Sequence, residues 1–142
     1  MEDELTVDLK DLLETFFRHK EGYEKASLIT DDKELQKVFK TISNYKKISA
    51  TEIENILKNI SNQIDDGNVR KRNLSKILSS FNNNDNKFII EACLIKESLL
   101  KDKLELLLGK NHNGLRIKMM LENNIHQSIV IKSLLWEQSI RF

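Results

Sequence analysis

Apolar residues recur at intervals of three and four over most of the chain, which is the spacing of one helix face. From Thr6 they are Leu9, Leu12, Leu13, Phe16, Tyr23 and Ala26. This predicts a first helix over about residues 6–29, with Thr6 or Asp8 as its cap. A second stripe contains Leu35, Val38, Phe39, Ile42, Ile53, Ile56, Leu57, Ile60 and Ile64. It predicts a helix over about 32–64, capped by Asp31 or Asp32 and roughly 45 Å long. Gly67 is its expected terminator. Residues 65–86 are polar, but Leu74, Ile77, Leu78 and Phe81 show a two-turn amphipathic pattern. A short helix over about 71–81 is therefore expected inside a long connection.

The third helix is predicted over about 86–108, with Asp85 as cap and Gly109 as stop. Its apolar residues include Phe88, Ile89, Ala92, Cys93, Leu99, Leu100, Leu104, Leu106 and Leu107. So wide a stripe predicts cover on two sides. After a tight turn at 110–114, a fourth helix is predicted over about 115–139. Leu115, Met119, Ile125, Ile129 and Val130 share a face, and Ile117, Met120, Leu134, Leu135 and Trp136 spread beyond it. Near the end, Leu134, Leu135, Trp136, Ile140 and Phe142 are more apolar than a terminus needs. The favoured reading is a cap over the helices, and the alternative is a self-association patch.

Connection lengths give the topology. The first and third joints are short, which makes antiparallel neighbours. The second spans about 20 residues and can cross the length of a bundle. The expected fold is all-α, a single four-helix-bundle domain over residues 1–142, with ferritin-like short–long–short connectivity; the alternative is an up-down-up-down bundle with an ornamented loop.

Composition sharpens this picture. The 142 residues include 4 Gly and no Pro. Average proline usage near 5% would give roughly seven. Too few turn formers remain for an all-β fold. An AT-rich coding bias is a competing cause of the deficit, so periodicity carries the argument. With 23 basic and 22 acidic side chains, the net charge of +1 gives no electrostatic reason for nucleic-acid binding. Arg70, Lys71 and Arg72 form only a small basic cluster. The single cysteine, Cys93, cannot form an internal disulfide. It lies on an apolar side and reads as a structural thiol. The acidic first residues lack the apolar core of a signal peptide, and no apolar run is long enough to span a bilayer. A cytoplasmic protein without a membrane partner is expected.

Candidate chemistry centres on a few polar residues within the apolar stripes. Glu122 and His126 stand one turn apart on the fourth helix, and Glu97 lies in the middle of the third. Counted from the 109–114 turn, Glu97 and His126 fall at similar heights. Together they make a weak candidate for a residual metal or small-ligand site. The structural alternative is a hydrogen-bonded polar layer that sets helix register. Lys20, Lys46 and Lys96 interrupt the first three stripes at mid-helix. An ammonium there can neutralise Glu97 or Glu122 in place of a metal, or else reach the surface along its stem. His19, Tyr23 and Glu24 offer an acid–base trio without a nucleophile, for which simple packing is the alternative. His112 sits in the turn and is expected to be solvated. Gly22 lies inside a helix, where it costs about 1 kcal/mol relative to Ala.

The spaced residues Leu12-Leu13-Glu14, Glu21 to Ala26, Asp32-x-Glu34-Leu35 and Phe39 resemble the first half of a bacterial ferritin-like family of unknown function. Ile90-Glu91-Ala92-Cys93 with Glu97, then Ile125-His126-Gln127-Ser128-Ile129, resemble its second half. The resemblance covers about residues 7–135. It implies a ferritin-like fold and an unassigned role, with stress response as one suggestion. Glu97 and His126 are the positions that match ferritin-type ligands. Phe16 stands about two turns before Tyr23, where a bacterioferritin-like helix would bring its Glu. No Glu-x-x-His occurs anywhere in the chain, although ferritin-like di-iron sites use that spacing twice.

Two functions follow as expectations. The first is a non-catalytic helical module, without a cofactor, that acts by protein association or small-ligand binding. A homodimer or another protein is its expected partner. The second is an unusual metal-binding protein that takes iron or manganese, with oxidoreductase or iron-handling activity.

Overall fold

The computed structural model describes residues 3–60, 85–110 and 114–142. Within them the chain is all-α, with helices α1 (Glu4–Ile29), α2 (Lys33–Ile60), α3 (Asn86–Leu108) and α4 (Leu115–Ile140). The short helix expected over 71–81, the α2 extension to residue 64, Gly67, the basic cluster and His112 lie outside the described residues. The chain divides into two compact units, one containing α1 and α2 and the other α3 and α4. Each unit is a helical hairpin.

Helix ends follow local hydrogen-bond chemistry. The α1 cap is Asp3, whose carboxylate accepts from the Thr6 amide at 2.8 Å. The expected caps at Thr6 or Asp8 are corrected: Asp3 meets the free amides one turn earlier, and Thr6 is already helical. Asp32 caps α2 by accepting from the Leu35 amide at 2.9 Å. Asp85 caps α3 through the Lys87 amide at 3.0 Å. Gly109 ends α3 as expected, but in a right-handed conformation at φ −72°, so this stop uses no left-handed glycine geometry.

The first hairpin is antiparallel, and three contacts fix its register. The Ser43 hydroxyl donates to the Lys20 carbonyl at 2.9 Å. The Lys46 ammonium lies over the Phe16 ring, 5.4 Å from its centroid. Tyr23 and Phe39 stack with centroids 6.1 Å apart. Every α1 stripe residue named above is buried, as are Leu35, Phe39, Ile42, Ile53, Ile56 and Leu57 of α2. Ile60, the last residue of α2, is exposed instead.

In the second hairpin, Ile89, Ile90, Cys93, Leu100, Leu104 and Leu107 of α3 are buried. Phe88, Leu99 and Leu106 are exposed. The two-sided cover expected of α3 is therefore corrected: one apolar side is buried and the opposite one faces outward. The correction for α4 is larger. Its buried side carries Ile117, Met120, Leu121, Ile131 and Leu135, together with Asn124, Ser128 and Gln138. Leu115, Met119, Ile129 and Val130, expected to face the core, are exposed. Polar side chains are tolerated on the buried side because they are satisfied locally. Asn124 donates to the Met120 carbonyl at 2.9 Å, and Gln138 accepts from Arg141 at 2.6 Å. The terminal cap also does not form among the described residues, since Trp136, Ile140 and Phe142 are exposed.

Candidate functional site

The polar candidates separate into two sets, one in each hairpin. In the first, Lys46 is 1% exposed, so its charge does not reach the surface along its stem. Its ammonium sits on the face of Phe16, where the ring quadrupole attracts a cation. Lys20 behaves differently. Its ammonium pairs with Glu24 at 3.3 Å, and Glu24 is half exposed. Lys20 therefore extends along the hairpin surface rather than interrupting a core. His19 meets Tyr23 edge-on with centroids 6.5 Å apart, in line with Tyr23 and Phe39. This is aromatic packing. Lys20, Glu21, Lys47, Thr51 and Glu54 line a small groove of about 220 Å³ with Phe17. Burial raises the Glu21 carboxyl above the usual value against the opposing pull of Lys20.

In the second hairpin, Glu97 is fully buried. The Ser128 hydroxyl approaches its carboxylate at 3.4 Å and its backbone carbonyl at 3.3 Å. Glu122 and His126 are exposed on the other side of α4. They share a groove of about 400 Å³ with Glu105, Leu108, Gly109 and Ile125. Glu105 is itself bound to Lys101 at 3.0 Å. The structure brings Glu122 and His126 together but does not bring Glu97 to them. Lys96 is half-buried on α3. Among the described residues, no group of three or more His, Cys, Asp or Glu side chains could hold a metal ion. No described helix is long and apolar enough to cross a membrane.

The outward side of α4 forms a continuous feature. Leu115, Met119, Glu122, His126, Ile129, Ser133, Trp136 and Ile140 follow one another at alternating steps of four and three, and all are exposed. That is the a/d repeat of a coiled-coil seam. The outward side of α3 carries the same repeat in Phe88, Ala92, Ile95, Leu99, Asp102 and Leu106. Of these, Ala92 alone is half-buried. By contrast, Val7, Leu28, Ile48 and Ile60 are the exposed large apolar side chains of the first hairpin. A helix apolar on both sides belongs in an interior. These two helices have one such side open to water.

Arg116 and Glu137 escaped the sequence reading because neither interrupts an apolar stripe. On the buried side, Ile117, Leu121, Asn124, Ser128, Ile131, Leu135 and Gln138 follow the same alternation of four and three, so spacing alone does not separate the two sides. No family model, no curated protein and no solved structure matches the chain.

Proposed function

We propose that the chain is a non-catalytic helical module of ferritin-like connectivity that acts by protein association through the outward side of its second hairpin. One observation carries this reading: α3 and α4 each present an exposed apolar seam opposite a buried one. Large exposed apolar surfaces mark interaction sites in soluble proteins. The spacing adds that the surface suits another helix rather than a flat sheet or a small molecule. The iron or manganese alternative has less support. Glu97 lies on the Ser128 side, whereas Glu122 and His126 face outward.

The test places a charge in each seam of the whole chain, with Leu99→Glu and Met119→Glu. Both side chains are more than half exposed. At a concentration too low for association, urea unfolding should move by no more than about 0.5 kcal/mol, as for other surface substitutions. Unfolding of both variants would contradict the reading, because the seams would then serve the fold and not a partner.

A further inference from the structure

The α4 seam is complementary to itself. Laid antiparallel on a second copy, about a twofold axis between His126 and Ile129, it opposes Leu115 to Ile140 and Met119 to Trp136 of that copy. Glu122 then meets Ser133, and His126 meets Ile129. Apolar layers close both ends, and each central polar residue faces a neutral neighbour. We infer that the occupant of the α4 seam is a second copy of this chain, docked helix to helix in an antiparallel, twofold arrangement.

Charge supports the direction. Arg116 and Glu137 flank the seam on one edge, and both are exposed. In the antiparallel pair Arg116 lies beside Glu137 of the second copy, and symmetry repeats the contact at the other end. On the other edge Lys118 faces Ser139, and Ile125 faces Lys132. No like charges oppose each other. A parallel pair would set Glu122 directly against Glu122 of the second copy, a repulsive layer without a neutral neighbour. An isologous interface needs one patch that is self-complementary under a twofold, and this seam meets that requirement along 26 residues, about 39 Å at the helical rise.

The inference rests on the association reading of the second hairpin. The experiment is sedimentation equilibrium of the full chain, with circular dichroism to confirm that each variant is folded. The native chain should be a dimer, and Met119→Glu should weaken it by roughly a hundredfold or more, because the twofold sets a buried charge against Trp136 in the apolar layers at both ends. Arg116→Glu and Glu137→Arg should each weaken it about tenfold. The double variant, Arg116→Glu with Glu137→Arg, should recover the native affinity, because it rebuilds both ion pairs with exchanged signs. A native chain that stays monomeric overturns the second copy as occupant. So does a double variant no tighter than the single ones, which would exclude the antiparallel pairing. If Leu99→Glu and Met119→Glu fold normally in those cases, the association reading stands with a different protein as partner. Unfolding of those two variants would overturn the association reading itself.

Discussion

Phe16→Ala should lower the stability of the first hairpin by about 3–5 kcal/mol, the range for deleting a buried aromatic ring. Phe16 is fully buried, so little of the lost volume can be refilled from solvent. The ring also carries the face over which the Lys46 ammonium rests at 5.4 Å. Its removal leaves a buried cation without that partner surface, worth about 2 kcal/mol when desolvated. Phe16→Leu separates the two contributions. It keeps most of the apolar volume and loses only the π face, so it should fall between the native chain and the Ala variant. Urea unfolding followed by circular dichroism measures both. A loss below about 1 kcal/mol for Phe16→Ala would place the ring outside the core.

Two isoleucines two residues apart in α4 should behave oppositely. Ile131 is fully buried and Ile129 is 47% exposed. Successive helix positions differ by about 100°, so residues two apart point to nearly opposite sides. Ile131→Ala should cost about 2–5 kcal/mol through lost burial and the cavity left behind. Ile129→Ala removes a side chain already in contact with water and should cost no more than about 0.5 kcal/mol in the monomer. Unfolding at a concentration too low for association gives the comparison. Equal losses would mean that α4 is packed on both sides, and a reversed order would restore the face expected from the sequence.

The contrast between these two residues also explains what the sequence could and could not reveal. The four helices were legible because Leu9, Leu12, Leu13 and Phe16, or Leu35, Phe39 and Ile42, repeat with helical spacing and are followed by polar joints. Asp32 and Asp85 were legible as caps because each immediately precedes a periodic run. The buried side of α4 was not, because apolar spacing says that a face packs without saying against what. A seam made for another chain carries the same spacing as a core. Here the outward side holds Leu115, Met119, Ile129 and Trp136, while the buried side includes Asn124, Ser128 and Gln138. Polarity misleads where backbone carbonyls and nearby side chains satisfy it. The same inversion separated the candidate site. Glu122 and His126 share the apparent stripe, and that stripe faces outward, away from the buried Glu97.

Trp136 offers the most direct view of this face. It is the only tryptophan in the chain and is 60% exposed on the outward side of α4. An exposed indole emits at long wavelength and is readily quenched by acrylamide, whereas a buried one emits further to the blue and is protected. Its emission should be that of an exposed indole in dilute protein and should shift to the blue, with loss of quenching, as concentration rises into the micromolar range and above. Emission that is already blue at the lowest concentration where the chain is monomeric, or that stays red and quenchable throughout, would contradict an open apolar seam that closes on association.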